Sequence, residues 1–249
     1  MGSETGGNGS EMVFSNRWDE FCDVLIVGSG FAGLAAAIEA KAAGSSVIII
    51  EKMRGYGGNS AICDCGIAAP GTPIQQARGI QDSEEQMYAD MMAAGLGLNQ
   101  PALVKTVAEN AADVFRWTVE TLKVKYKDRV NQFGGHSVPR GHTTHNRSGS
   151  AIVGRQLKKI RELGIQIRTR SFLQQLHLNA DGRIEGVTIR EGYVFPDVHS
   201  GTIKHIGIHQ AVVLATGGSP ETFLLEKPRI PGWMRQWMLR QSIQRLRNL

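Results

Sequence analysis

Three glycines near the N-terminus have the spacing of a turn that binds a dinucleotide. Gly28, Gly30 and Gly33 follow the apolar run Val24–Val27 and lead into a stretch rich in alanine. In such a turn the first glycine permits the bend, the second lets the backbone approach a pyrophosphate, and the third lets a helix pack closely on the sheet. Free N–H groups at the start of that helix attract phosphate. The spacing therefore predicts a pyrophosphate-binding turn.

An acidic residue completes this unit. The apolar run Val47–Ile50 is followed by Glu51, which lies 23 residues beyond Gly28. Dinucleotide-binding folds place an acid about 20 residues after the glycine turn, where its carboxylate accepts a hydrogen bond from a ribose hydroxyl. Glu51 is therefore predicted to bind the adenosine ribose. This unit by itself fits NAD and FAD equally well.

Further glycine-rich and small-residue stretches are predicted to approach the same ligand. The composition of segment 52–60 predicts an irregular loop that wraps the ligand with backbone N–H groups. The small apolar residues 61–69 would let a flat ring lie against the chain, or would form an ordinary surface loop. The run Ala215–Gly218 ends a buried strand at a second place where backbone can approach a nucleotide.

The elements that must position these residues alternate between strands and helices. Buried strands are predicted at 23–27, 47–50 and 211–214, and an alternating strand is predicted at 165–170. Helices are predicted to begin after Gly33, at Ser83, at Pro101 and within Ser148–Ser150. Two more strands, 172–178 and 184–190, form a hairpin across the turn 179–183. The pattern predicts an α/β fold, namely a Rossmann-like domain with a parallel sheet, flanking helices and a small antiparallel β-hairpin element.

The helix that begins at Pro101 is predicted to bury one apolar face. Steps of three and four residues place five side chains on that face. They are Leu103, Val107, Ala111, Val114 and Trp117.

The polar segment 134–145 contains three histidines and Arg140 among glycines. Two interpretations stay open, a mobile segment that lines a substrate cleft and a solvated loop. A metal site is disfavoured because no two histidines have the spacing of ligands on a helix and no cysteine completes a ligand set. Arg140 is the one arginine nominated as a cleft residue, and no catalytic residue is assigned.

Composition and charge describe a globular chain with an uneven charge distribution. From Thr222 onward six basic residues oppose one acidic residue, which accounts for the whole net charge of +5 over 249 residues. No nucleic-acid partner is therefore expected. No apolar run has the roughly 20 residues that a membrane-spanning helix needs. The first residues lack the features of a signal peptide, which predicts a cytoplasmic location. Three cysteines without framework spacing argue against a disulfide scaffold.

Several motifs together resemble one family. They are Val27–Gly33, Glu51-Lys52, Gly57–Ser60, Gly66-Ile67 and Ala215–Gly218. This combination resembles the FAD-binding flavoproteins of the fumarate reductase and succinate dehydrogenase group, above all the soluble fumarate reductases and flavocytochrome c flavoproteins. The resemblance covers roughly residues 22–218. It implies a domain plan with a flexible leader at 1–20, an FAD-binding domain at 21–218 and a basic, atypical tail at 219–249.

The resemblance implies a role for residues along the whole domain. It assigns the pyrophosphate to Gly28, Ser29, Gly30, Ala32 and Gly33, and the adenosine ribose to Glu51 with Lys52 beside it. It places Gly58, Asn59 and Ser60 along the ribityl chain and pyrophosphate, and Gly66 and Ile67 by the isoalloxazine ring. It has the backbone of Phe172 contact the adenine, and it closes the dinucleotide site with Ala215, Thr216 and Gly217.

Three departures from the family pattern shape the expected function. Asn59 stands where membrane-bound relatives have the histidine that bonds covalently to FAD, so FAD is expected to bind non-covalently. Cys65 replaces the first glycine of a pair beside the flavin, as a buried inert cysteine or as a thiol near the ring. The family's catalytic arginine and substrate-binding histidines come after the Ala-Thr-Gly-Gly motif, and this chain ends 31 residues after Gly218, so it is expected to be truncated.

The resemblance implies an FAD-dependent oxidoreductase that transfers hydride between flavin and a small unsaturated carboxylate. The implied partners are an enoate or dicarboxylate substrate and an electron-donor protein, and relatives in the periplasm exist. Two alternatives stay open because the usual catalytic residues are absent. One is an FAD-binding fragment without activity of its own, and the other is a flavoprotein subunit that a partner chain completes.

Overall fold

The computed structural model describes residues 17–64 and 66–218. The described residues up to Thr216 form one compact unit. The expectations for the leader up to residue 16, for Cys65 and for the tail 219–249 lie outside the described residues. The elements in chain order are β1 (Glu20–Val27), α1 (Phe31–Ala42), β2 (Val47–Ile50), α2 (Gly58–Ile62), β3 (Gly66–Ala68), α3 (Pro73–Gln76), α4 (Glu84–Ala94), α5 (Pro101–Glu120), β4 (Tyr126–Asn131), β5 (Gly141–Thr144), α6 (Ser150–Glu162), β6 (Gln166–Arg168), β7 (Ser171–Leu178), β8 (Ile184–Glu191) and β9 (Thr202–Leu214).

The main sheet has the strand order β6-β2-β1-β9-β8-β7. β6, β2, β1 and β9 run parallel, with Val27 opposite Ile50 on one side and Leu214 on the other. The predicted parallel sheet is therefore confirmed. Because parallel strands end at the same edge, the residues that follow β1, β2 and β9 meet there, where open α/β sheets bind ligands.

The predicted hairpin is confirmed, and it extends the main sheet. β7 pairs antiparallel with β8, and β8 pairs antiparallel with β9. In the turn the Asn179 N–H donates to the Arg183 carbonyl at 2.8 Å, and the Arg183 N–H donates to Asn179 Oδ1 at 2.8 Å.

Side chains of β1 alternate between two apolar cores. Val24 and Ile26 pack with α1 and α6 residues such as Leu34 and Ile160. Leu25 and Val27 lie in the second core with residues of β2, β8 and β9. A strand that is buried on both faces needs apolar residues without polar alternation, which is the pattern that Val24–Val27 has.

A second sheet corrects the two interpretations of segment 134–145 and rules out the surface-loop alternative for residues 66–68. β3, β5 and β4 form a three-stranded antiparallel sheet. The strand β5 lies inside the segment 134–145, and all four of its residues are buried. β3 lies inside the stretch 61–69. Sequence reasoning missed these strands because they are short and β5 contains glycine, histidine and threonine. Pairing decides their structure, since β5 is buried between β3 and β4, and β3 pairs with β5 at the edge of the sheet.

The stretch 52–60 also contains the start of a regular element, which contradicts the expected irregular loop. α2 begins at Gly58, and Gly57 precedes it with φ at +89°. A Cβ at Gly57 would lie 2.9 Å from a methyl carbon of Val153 in α6. Glycine at this position thus permits both the left-handed backbone and the close contact with α6.

The predicted α5 is confirmed, but its buried face is mostly wrong. The buried residues are Val104, Ala108, Ala111, Phe115 and Thr118. Leu103, Val107 and Val114 are about half exposed, at 47%, 50% and 50%. Hydrophobicity alone favoured the larger aliphatic residues, whereas close packing against α4 and β5 selects small residues and Phe115.

None of the helices in the described part of the chain is long and apolar enough to cross a membrane.

Candidate functional site

The turn between β1 and α1 is too tight for side chains at two of its glycines. Gly28 has φ at +107°, and a Cβ there would lie 2.5 Å from the Ala215 carbonyl oxygen. A Cβ at Gly33 would lie 1.9 Å from the Gly28 carbonyl oxygen. The backbone after β1 therefore packs directly against the residue after β9 and against the first turn of α1. These contacts explain two of the three glycines of the motif.

The start of α1 has no cap from its own N-cap residue. Gly30 is its N-cap residue and provides no side-chain hydrogen bond to the helix. The N–H of Phe31 donates to Ser60 Oγ at 3.1 Å. A helix start leaves its first N–H groups without intrahelical partners and carries a partial positive charge. The α1 start lies where β1, β2 and β9 end, so the arrangement suits a pyrophosphate. Ala32, in the first turn, is exposed.

Glu51 is buried and bonded to the glycine turn. Its Oε2 accepts hydrogen bonds from Ser29 N–H at 3.0 Å and from Ser29 Oγ at 2.6 Å. Its Oε1 accepts from Met53 N–H at 2.8 Å. An ionised carboxylate offers about four acceptor positions, so about one remains for a further donor such as a ribose hydroxyl. Glu51 thus positions the turn itself, a role that sequence reasoning missed.

Ser29 extends this connection to the next loop. Its hydroxyl accepts from the Gly57 N–H at 3.0 Å while it donates to Glu51. One buried hydroxyl therefore joins the turn after β1, the end of β2 and the start of α2. The serine in the Gly-Ser-Gly motif was the only sequence signal for this contact.

Ser60 lies where α1, α2 and α6 meet. Its hydroxyl accepts from Phe31, and its carbonyl oxygen would lie 1.8 Å from a Cβ at Gly149, the N-cap residue of α6. Gly57 and Gly149 were not among the predicted site residues. The available signal for Gly149 was its place at a helix start, which gave no indication of the contact with Ser60.

The residues assigned to the flavin ring and ribityl chain lie on other elements. Asn59 is exposed in α2, as is Gly58. Gly66 and Ile67 belong to β3, where they pair with Thr143 and His142. β3 belongs to the second sheet and not to the sheet in which β1, β2 and β9 end.

The residues assigned to the adenosine end surround the segment after β2. The Ser171 N–H, next to Phe172, donates to the Glu51 carbonyl at 2.9 Å. The Phe172 ring stacks on Tyr193 with ring centres 4.9 Å apart. Lys52 is exposed, and its Nζ lies 5.8 Å from the centre of the Phe195 ring.

The run after β9 lies beside the glycine turn. The Ala215 N–H donates to the Val27 carbonyl at 2.8 Å. Thr216 and Gly217, which follow, are exposed. The structure therefore brings Ala215 to Gly28, as the sequence motifs implied.

Arg140 is not a cleft residue, which corrects its nomination. It is fully buried, and its guanidinium forms ion pairs with Asp82 and Asp90, each at 2.7 Å. Burial opposes the charge on Asp90, but hydrogen bonds from Ser137, Gln86 and Arg140 outweigh it and lower its pKa to about 2. This arrangement connects α4 with the residues before β5 and is structural.

His142 also lies in the interior, where it belongs to the buried strand β5 and not to a mobile segment. Its Nε2 lies 3.2 Å from Thr72 Oγ1, and its ring centre is 4.3 Å from that of Phe115. Burial lowers the pKa of His142, which favours the neutral imidazole. Within the described residues no group of three or more His, Cys, Asp or Glu side chains is arranged to hold a metal ion.

Comparison with known proteins identifies the family. Residues 23–240 match the FAD binding domain family. The acrylate reductase flavoprotein subunit of Shewanella woodyi is 40% identical over 89% of this chain and 44% of that protein. The probable fumarate reductase Ifc3 of Shewanella frigidimarina is 37% identical over 80% of this chain and 32% of that protein.

A solved structure supports the same assignment. The open conformation of a flavocytochrome c3 fumarate reductase is 36% identical, with a TM-score of 0.74, over 81% of this chain and 34% of that chain. The chain thus spans less than half the length of these relatives. The resemblance seen in the motifs is confirmed: this chain belongs to the FAD-binding domain family, whose cofactor is FAD.

Proposed function

We propose that this chain binds FAD non-covalently and is the FAD-binding part of a reductase of small unsaturated carboxylates. The observation that carries the proposal is the turn between β1 and α1. Gly28 and Gly33 leave no room for side chains, and the turn places the start of α1, which has no cap from its own N-cap residue Gly30, at the edge where β1, β2 and β9 end. The turn therefore fits the pyrophosphate of FAD.

The residues around the turn have distinct roles in this proposal. Gly28, Ser29, Gly30, Ala32 and Gly33 surround the pyrophosphate. Glu51 holds Ser29 in position within the turn, because the N–H and the hydroxyl of Ser29 both donate to the Glu51 carboxylate.

The adenosine end is bound by two neighbouring segments. Glu51 uses its remaining acceptor position for the ribose, with Lys52 beside it. Phe172 offers its backbone to the adenine, one residue beyond the bond that joins Ser171 to Glu51.

The remaining assigned residues follow the ligand toward the flavin. Gly58, Asn59 and Ser60 lie along the ribityl chain and pyrophosphate, and Gly66 and Ile67 lie by the ring. Ala215, Thr216 and Gly217 cover the dinucleotide. Asn59 is exposed and lacks a nucleophile that could bond to the flavin, which supports non-covalent binding.

The substrate class comes from what the named relatives share. Acrylate has one carboxylate and fumarate has two, and in both a C=C bond is conjugated to a carboxylate. Bound FAD, once reduced by an electron donor, would supply the hydride for such a bond. We assign no catalytic residue, because the arginine nominated from sequence is buried in ion pairs with Asp82 and Asp90. An electron-donor protein and a cytoplasmic location stay predictions.

A second function is favoured by the shared length. The chain spans 44% of the acrylate reductase subunit and 34% of the flavocytochrome c3 chain. The chain would then bind FAD without turnover of its own, or would act with a partner chain that completes the active site.

Two measurements test these proposals. Purified protein reconstituted with FAD should show flavin absorbance, and acid precipitation should release all of the flavin into the supernatant. A protein that takes up no FAD would contradict the binding proposal, and flavin in the pellet would contradict non-covalent binding. Oxidation of a reduced dye by fumarate or acrylate would support the reductase, and flavin uptake without that oxidation would support the second function.

A further inference from the structure

The β8–β9 connection, residues 192–201, carries apolar side chains into solvent. Val194, Phe195 and Val198 are 58%, 56% and 48% exposed. Tyr193, at the base of the connection, is buried at 3% exposure. Three exposed apolar side chains on one short segment are more informative than a single exposed residue, because exposed apolar patches mark surfaces that contact a ligand or partner.

The β8–β9 connection is anchored to the segment that follows β2. The Tyr193 N–H donates to the Arg170 carbonyl at 2.9 Å, and the Arg170 N–H donates to the Met53 carbonyl at 3.1 Å. The Tyr193 ring stacks on Phe172. Both segments assigned to adenosine, the one with Glu51 and the one with Phe172, therefore hold the base of this connection.

Hydrogen bonds within the connection define its conformation. The Val194 N–H donates to Ser200 Oγ at 2.8 Å, and the Asp197 N–H donates to the Val194 carbonyl at 2.9 Å. Ser200 Oγ donates to the Asp197 carbonyl at 2.6 Å. Arg190 donates to the His199 carbonyl at 2.8 Å. Phe195 thus projects from a hydrogen-bonded tip, and burial in the core does not account for its position.

Phe195 lies beside the residue that follows the ribose acid. Lys52 Nζ is 5.8 Å from the centre of the Phe195 ring, within the range of a cation–π contact. We propose that Phe195 forms the outer wall of the adenine site, with its ring against the base. A purine is flat and aromatic, and more than half of the Phe195 surface is free to contact it. This inference rests on the proposed FAD site and assigns a residue that the sequence motifs did not include.

The test compares FAD affinity among variants of the full chain by quenching of flavin fluorescence. Phe195→Ala should raise the Kd for FAD about tenfold, since stacking of a base on an aromatic ring contributes about 1–3 kcal/mol. Phe195→Trp should retain the affinity. Phe195→Leu keeps apolar bulk without the ring and should weaken binding. Val194→Ala, on the same tip and equally exposed, is the matched control and should bind like wild type.

Competition by ADP tests whether Phe195 contacts the adenine end of FAD. ADP carries the adenine and pyrophosphate without the flavin, so Phe195→Ala should weaken its competition with FAD by the same factor. Thermal unfolding of each apo-protein reports whether the variants fold. If the wild type binds FAD and both Phe195→Ala and Phe195→Leu bind it with an unchanged Kd, Phe195 does not form a wall of the adenine site. The proposed FAD site would still stand. If wild type binds no FAD, the proposed function itself fails.

Discussion

Ser29 and Glu51 are joined through a single carboxylate oxygen, which accepts from both the Ser29 N–H and the Ser29 hydroxyl. These bonds connect the turn after β1 to the residue that follows β2. The same hydroxyl accepts from Gly57, so the geometry of the turn depends on a residue usually considered only for its contact with ribose. The acid therefore has a structural role that should be measurable without any ligand.

Glu51→Gln should destabilise the apo-protein by about 2 kcal/mol. In the variant one carboxylate oxygen becomes an NH₂ group, which would face a donor of Ser29 or Met53 and could not accept its hydrogen bond. Hydrogen bonds to charged groups contribute about 1.5–3 kcal/mol. Urea unfolding without FAD measures this loss. Glu39→Gln is the control, because Glu39 is exposed and its one bond, from Trp117 Nε1, persists with an amide oxygen. Equal stability of Glu51→Gln and wild type would confine the role of Glu51 to ligand binding.

Two helical glycines should respond in opposite directions to alanine. Gly33→Ala places a Cβ 1.9 Å from the Gly28 carbonyl oxygen, whereas Gly154 in α6 has no atom within 4 Å of its added Cβ. Gly33→Ala should cost about 1–3 kcal/mol from overpacking and lower FAD affinity. Gly154→Ala should gain about 0.5–1 kcal/mol from helix propensity. Unfolding curves and FAD titrations measure both effects, and a neutral Gly33→Ala would show that the turn is looser than described.

Arg140→Met should lower stability by about 3–5 kcal/mol, because it leaves Asp82 and Asp90 buried without their cation. Arg116→Met is the matched control. Arg116 pairs with Asp113 on the exposed surface of α5 and should change stability by less than about 1 kcal/mol. Urea unfolding of the two variants checks the contrast. A stable Arg140→Met protein with impaired turnover would instead favour a role for Arg140 in the reaction.

Stability should fall as the pH drops from about 5 to 2, in part through Glu20. A side-chain hydrogen bond from Arg168 lowers the pKa of Glu20 from 4.5 to about 2, against burial, with Lys204 contributing in the same direction. The unfolded chain thus takes up this proton at higher pH than the folded protein, so the stabilising effect is present above pH 4.5 and is lost toward pH 2.

Glu20→Gln tests that assignment. The variant should be less stable than wild type at pH 7, and the difference should shrink as the pH approaches 2. Unfolding free energies measured across this range check the prediction. Two curves that stay parallel from pH 7 to pH 2 would mean that Glu20 does not cause the pH dependence.

The sequence by itself determined the parallel sheet, the glycine turn and the position of Glu51. These features are local, because an apolar run, a glycine spacing and a following helix each depend on neighbouring residues. The family resemblance added the cofactor, and the comparison with known proteins confirmed it.

Only the tertiary structure decided the second sheet, the face that α5 buries and the environment of Arg140. β5 is polar in sequence and becomes a buried strand because β3 and β4 pair with both of its edges. Arg140 is charged, and its two carboxylate partners lie 50 and 58 residues away in the chain. Partners so distant cannot be read from local pattern. The link from Glu51 through Ser29 to Gly57 likewise exists only because folding brings three separate segments to one edge of the sheet.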